Sequence, residues 1–425
     1  MTKKILLLIS IMTYLFSTDL HFDLYKKETP KGDTLFVIGG IHGDEPGAYF
    51  APMILINHYK IKSGSLWIVP NLNFDSIIAN KRGIYGDMNR KFQSLSPKDK
   101  DYTIVQDIKK LITDKKVDLI LNLHDGYGFY RKDYKNQLFN PKAWGQSFVI
   151  DQSFMQHHKY GNLEEIAKIV NSRANVYVQE DVHDFNIKNT NTSQSDKDMQ
   201  LSLTYFAIKN HKPAFAIETS KHIKELSLKV YYHLQTIEKF MDIMNIDYIR
   251  NFDLTVNNIS NIISDYGTVE FCNSKVKLDL NNIRDNINLT ICSDFKPKPS
   301  NPLFAMVKNG NIYKTYIGNI LISNISIDTE NMDNSINDID LITDDKKRNV
   351  KFGSIVDIKD YFLIPKSQNY RVNVIGFGFT KDDTENKIFE KSMIKKFSID
   401  RDGKIYKVEI YRENSFCGSF FVRFK

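Results

Sequence analysis

In the stretch TLFVIGGIHGDEPGAYF, residues 34–50, an apolar run ends at two glycines and is followed by His42 and, three residues later, Glu45. Imidazole and carboxylate are both good zinc ligands, at about 2.0–2.2 Å. Pro46 suits the first turn of a helix, and a pair spaced i, i+3 at such a turn can aim both side chains at one point. Two ligands do not make a site. The candidate for a third is His124, at the end of a second apolar run, VDLILNLHDGYG, where Gly126 and Gly128 follow. Three protein ligands with one position left open is the pattern of a catalytic zinc rather than a structural one. Water in that position has its pKa lowered to about 7.

Hydrolysis at such an ion needs a general base. AFAIETS places Glu218 in another apolar run, where a lone acid is costly to bury unless it is paired. It is either a carboxylate satisfied by its surroundings or the base that takes a proton from water and passes it to a leaving amine. KRGIYGDMNRKF, residues 81–92, adds Arg82, Asn89 and Arg90 beside glycines. An Arg fork matches a carboxylate bidentately, and a second Arg near the metal stabilises an oxyanion. His157, His158 and His183 are expected at the surface.

These groups need a scaffold that brings distant strand ends together. Over residues 34–245, TLFVIGG, SLWIVPNL, VDLILNLHD, ANVYVQE and AFAIETS read as short buried strands. Between them, PGAYFAPMILINHY, YTIVQDIKKLITD, NLEEIAKIVNS and DMQLSLTYFAIKN carry apolar residues at helical spacing, and a long amphipathic helix closes this half. The alternation predicts an α/β fold with a mixed, mostly parallel sheet flanked by helices, whose ligand sites lie at the carboxyl edge of the strands. From about residue 250, FDLTV, GTVEF, KVKLDL and further short β-rich runs predict two small β domains, at 250–335 and 345–425, the second sandwich-like. The acidic segment 328–349 reads as a solvated linker between them. It lacks the glycine a calcium loop needs at its sharp turn.

The chain has 425 residues, with 58 basic groups against 51 acidic, a net charge of +7. The excess is thinly spread with no dense basic block, so it reads as solvated surface, and no nucleic-acid partner is expected. At the N-terminus two lysines precede an apolar run from Ile5 to Phe16. That is the layout of a secretory signal over residues 1–17. The run is short of the ~20 residues a membrane span takes. An exported protein with no transmembrane segment in its mature form is therefore expected. Export permits a disulfide, and Cys272 and Cys292 lie in one β region and could pair. No C-x-x-C pattern points to a thiolate metal site.

Taken in order, HGDE, DMNRKF, the strand-end His124 and IET resemble the zinc metallocarboxypeptidases over residues 34–245. VPNLNFDSI before the Arg segment adds to the likeness. The resemblance implies that His42, Glu45 and His124 hold zinc, that Glu218 is the base and that Arg82 faces the oxyanion. It also implies that Asn89 and Arg90 grip the substrate's terminal carboxylate. With a signal peptide and two β domains, the layout most resembles the periplasmic peptidoglycan DL-carboxypeptidases that set helical cell shape. These cleave the γ-D-glutamyl–meso-diaminopimelate bond of a muramyl tripeptide and leave a dipeptide. Trp144 and Thr204 fall where such enzymes contact the diaminopimelate. Some relatives replace the first histidine ligand with glutamine, whereas this chain keeps His42. GGIHGDEPG also resembles the aspartoacylase and succinylglutamate desuccinylase branch, and a non-catalytic wall-binding scaffold is the remaining alternative.

Overall fold

The structure, a computed structural model, describes residues 21–425 apart from 196, 367–368, 378–383 and 385. The expected signal segment, 1–17, lies outside the described residues.

Seven strands form the central sheet: β1 (Tyr25–Lys27), β2 (Thr34–Ile38), β3 (Ser65–Val69), β4 (Leu119–Gly126), β5 (Ser147–Ile150), β6 (Asn186–Asn189) and β7 (Ala214–Ser220). Their order is β1-β3-β2-β4-β7-β5-β6. The β3-β2-β4-β7 block is parallel throughout, while β1 and β5 run antiparallel to their inner neighbours. Every residue of β2, β3, β4 and β7 is buried. A sheet covered on both faces requires this, and it explains why these strands read as unbroken apolar runs. The helices α1 (Pro46–His58), α2 (Tyr102–Ile112), α3 (Leu163–Asn175), α4 (Leu203–Lys209) and α5 (Leu226–Ile243) flank the sheet. The mixed, mostly parallel α/β fold expected from the sequence is the one observed.

One run departs from expectation. ANVYVQE is not a strand: Ala174 and Asn175 finish α3, and Val176 and Tyr177 are exposed. Its alternation of apolar and polar residues imitates a strand. The sheet's far edge is instead built by β5 and β6, and the NIKN sequence of β6 carries no apolar pattern.

Beyond residue 250 the chain is mainly β. FDLTV, however, is not a strand, and Val256–Ser264 is a helix capped by the Thr255 side chain, which accepts from Asn258 N–H. The strands Asn286–Cys292, Phe304–Asn309, Ile312–Ile317 and Ile320–Glu330 make one four-stranded sheet. Cys272 and Cys292 are joined by a disulfide.

The acidic run 328–349 is not a solvated linker. Ile320–Glu330 extends into it, and Asp338–Thr343 and Lys346–Lys351 form an antiparallel hairpin. Ile339, Leu341 and Thr343 alternate inward to a buried cluster, while Asp338 and Asp340 face Asn349 and Lys347. The period-2 pattern was present but masked by the surrounding acids.

A single apolar cluster runs from Phe22 through the central sheet into the first β unit and reaches Phe421. At its waist, Gly318 turns the chain between Ile312–Ile317 and Ile320–Glu330. A Cβ added there would stand 3.0 Å from the Tyr49 ring of α1. Among the described residues no helix is long and apolar enough to cross a membrane.

Candidate metal centre

Three strand ends deliver the key side chains to one edge. In the β2–β4 register Ile38 pairs with Asn122, and in the β4–β7 register His124 pairs with Glu218. His42 follows β2 after the Gly39-Gly40 turn, and Glu45 is the residue that precedes α1. Gly43 between them has no alternative. A Cβ there would lie 1.9 Å from the Ser76 carbonyl oxygen, so the loop passes this close only without a side chain.

The three expected ligands converge. His42 Nδ1 lies 3.0 Å from Glu45 Oε1, His124 Nδ1 lies 2.9 Å from Glu45 Oε2, and the two Nδ1 atoms are 3.2 Å apart. All three residues are buried. Tetrahedral ligands about 2.05 Å from an ion stand roughly 3.3 Å from one another, so the donor set fits a metal of zinc's size. Among the described residues it is the one group of three or more such side chains able to share an ion.

The rings are held from behind. His42 Nε2 is 2.8 Å from Asp87 Oδ1, and His124 Nε2 is 2.8 Å from the Asn122 amide nitrogen. Asp87 is the carboxylate partner a metal-bound imidazole keeps. At His124 the Asn122 Oδ1 is without a partner, and turning that amide over lets Oδ1 accept from Nε2–H and frees Nδ1 to face inward. Burial pushes the His42 imidazole down, but the charge of Glu45 and the hydrogen bonds to Asp87 and Glu45 outweigh it and raise it to about 9. At His124 burial outweighs the charge and hydrogen bond of Glu45 and pulls the imidazole down, which favours the neutral ring that a metal needs.

Glu218 sits beside this group, 8% exposed. Burial, and then the charge of Glu45, push its carboxyl up to about 8. Arg82 donates from Nη1 to Glu45 Oε1 at 3.3 Å and from Nε to Asp87 Oδ2 at 3.0 Å. His42, Glu45, His124, Glu218, Arg82, Asn89, Arg90 and Trp144 all line one cavity of about 260 Å³, with Tyr127, Met199 and Lys221. Asn89 Oδ1 accepts from Leu203 N–H at 2.9 Å, which fixes the 88–90 turn to the start of α4. Trp144 is stacked under the Lys188 ammonium, 4.0 Å from its ring. Thr204 is not brought to the cavity. It is buried on α4 with Oγ1 3.2 Å from Ser202 Oγ.

Sequence reasoning missed the supports. Asp125 is fully buried. It accepts from Gly47 N–H at 2.9 Å, Lys229 Nζ at 3.0 Å and Thr219 Oγ1 at 2.5 Å, with His233 Nε2 at 3.3 Å. Glu45 makes no side-chain cap of α1, so Asp125 satisfies that helix N-terminus and leaves the Glu45 carboxylate free to face the histidines. His183, expected at the surface, is buried with Nδ1 3.0 Å from Tyr232 OH. His157 is exposed as expected. The signal for Asp125 was its place next to His124 at a strand end; for His183 the sequence held none.

Fold and site together define a metallocarboxypeptidase. The chain belongs to the family of carboxypeptidases controlling helical cell shape: the model of that family's catalytic part matches residues 1–264. A second model, the C-terminal domain of metallo-carboxypeptidase, matches residues 332–425. Cell shape determinant protein Csd4 from Helicobacter pylori, in its apo form, is 34% identical with a TM-score of 0.88, over 95% of this chain and 100% of that one. Its tripeptide-bound form matches with the same figures. The mDAP-bound form of Csd4, a D,L-carboxypeptidase, matches at 34% identity and TM-score 0.88 over 94% of this chain and 100% of that one. No curated protein matches the chain.

Proposed function

We propose that the chain is a zinc-dependent DL-carboxypeptidase. It hydrolyses the γ-D-glutamyl–meso-diaminopimelate bond of peptidoglycan tripeptide stems in the periplasm, leaves dipeptides and so helps set cell shape. The observation that carries this reading is the convergence of His42 Nδ1, Glu45 and His124 Nδ1 beside Glu218 in one cavity. Likeness to a tripeptide-bound relative supports the substrate class. The lysine-flanked apolar run at residues 3–16 supports export. The division into a catalytic half to residue 246 and two β units belongs to the same reading, with the second unit beginning ahead of the 338–351 hairpin rather than at 345.

His42, Glu45 and His124 would hold the ion. The chemistry it supplies when bound is Lewis-acid polarisation of the scissile carbonyl and of the attacking water. Glu218 accepts a proton from that water on a carboxylate oxygen and returns it to the leaving amine of diaminopimelate. Arg82 offers its guanidinium to the developing oxyanion. Asn89 and Arg90 take the α-carboxylate of the departing residue, and Trp144 lines the wall along its aliphatic chain.

Mass spectrometry of purified muramyl tripeptide, incubated with the zinc-loaded protein with and without chelator, tests the reading. Dipeptide and free diaminopimelate are expected, abolished by chelator, and lowered roughly 10²–10⁴-fold in Glu218→Gln. An intact tripeptide alongside release of succinate from N-succinylglutamate would replace the reading with an amino-acid deacylase.

A further inference from the structure

Three cations line the cavity: Arg82, Arg90 and Lys221. Arg82, held by Glu45 and Asp87, is assigned to the oxyanion above, and Arg90 stands with Asn89 on the 88–90 turn and is assigned to the terminal carboxylate. Lys221 has no task in the chemistry above. It follows β7 directly, three residues beyond Glu218, and its N–H donates to Gly126 O at 2.8 Å, which anchors it at the strand-end edge. Its Nζ donates to Asp44 Oδ2 at 2.6 Å and lies 3.6 Å from Glu45 Oε1, with the side chain 28% exposed. An ammonium has three N–H donors. Asp44 takes one, and the Glu45 distance is too long for a second hydrogen bond.

We infer that Lys221 reads the free α-carboxylate of the γ-linked glutamate, the residue on the acyl side of the scissile bond. The inference rests on the proposed function and assigns that substrate's second recognition point. A γ-linkage leaves the α-carboxylate uncoupled, four bonds from the scissile carbonyl carbon, or roughly 5 Å away. Glu45 would help hold the ion that polarises that carbonyl, and the Lys221 ammonium stands 3.6 Å from a Glu45 oxygen. The wall of Asn89, Arg90 and Met199 serves the other end of the substrate. That wall is tied to α4 through Leu203, whereas Lys221 is tied to Asp44 beside α1. A compact, mobile point charge suits a carboxylate that needs charge recognition and no planar register.

The test uses two muramyl tripeptides that differ at one group, with the glutamate α-position as carboxylate or as carboxamide. The pair has nearly equal size, so a preference between them reads charge. The zinc-loaded wild type is expected to prefer the carboxylate by roughly 10- to 100-fold in kcat/KM, carried mainly by KM. Lys221→Met collapses the ratio toward one, and Lys221→Arg restores most of it. Calorimetric binding of the matching acid and amide dipeptides to Glu218→Gln, with and without Lys221→Met, is expected to show the same ratio without turnover. A wild type that cleaves both tripeptides equally, or a Lys221→Met protein that keeps the preference, overturns the assignment alone. A zinc-loaded wild type that cleaves neither overturns the hydrolase reading and this inference with it.

Discussion

Nε2 of His42 lies 2.8 Å from Oδ1 of Asp87, and the other Asp87 oxygen accepts from Arg82 Nε at 3.0 Å. One carboxylate therefore sets both the orientation of the His42 ring and the position of the Arg82 guanidinium. Replacing Asp87 with alanine is expected to weaken zinc binding about 10–100-fold, the usual loss on removing an outer-shell partner. Competition against a chromophoric chelator measures it. Asp87→Ala at wild-type affinity would show that the 2.8 Å contact orients nothing.

Glu218 makes stability depend on pH in the chelated protein. Its carboxyl is pushed up to about 8, first by burial and then by the charge of Glu45, while an unfolded Glu titrates near ~4.3. The protonated group's contribution is full below about pH 4.3 and is lost as pH rises through 8. Glu218→Gln cannot ionise. Its stability relative to wild type is expected to grow between pH 5 and pH 8 by up to about 1.4 kcal/mol per pH unit. Saturating zinc is expected to weaken the trend by giving the carboxylate a cation to face. Urea titrations at four pH values with chelator, repeated with zinc, follow it. Parallel curves for the two proteins would refute it.

Lys229 and Asp125 form a buried pair, 8% and 0% exposed, with Nζ to Oδ2 at 3.0 Å. Lys229→Met leaves the Asp125 charge uncompensated beneath α1. The expected loss is about 3–5 kcal/mol in urea unfolding. A loss below 1 kcal/mol would mean that Gly47, Thr219 and His233 suffice.

The Cys272–Cys292 bridge closes a segment with a sequence separation of 20. By chain-entropy arguments its removal costs about 3 kcal/mol. Differential scanning calorimetry of Cys272→Ser/Cys292→Ser measures it.

Three of the candidate site residues were legible because each sits where an apolar run stops. His42, His124 and Glu218 are the polar residues that break three otherwise apolar stretches, and sheet topology brings those breaks to one edge. The supports were not legible, because their partners are fixed only by folding. Asp125 meets Lys229 and His233 from α5, and Asn89 meets Leu203 from α4. Sequence pattern also misread ANVYVQE, whose alternation belongs to a helix end, and the hairpin at 338–351, whose alternation was hidden by acids. Both errors came from weighing local composition without knowing which face would be covered.

The turn at Gly318 rests on Tyr49, four residues beyond Glu45 on the helix that begins beside it. The helix that starts beside Glu45 is therefore covered in part from outside the catalytic half. A chain severed after residue 246 would strip that helix of its cover and wet a continuous greasy seam.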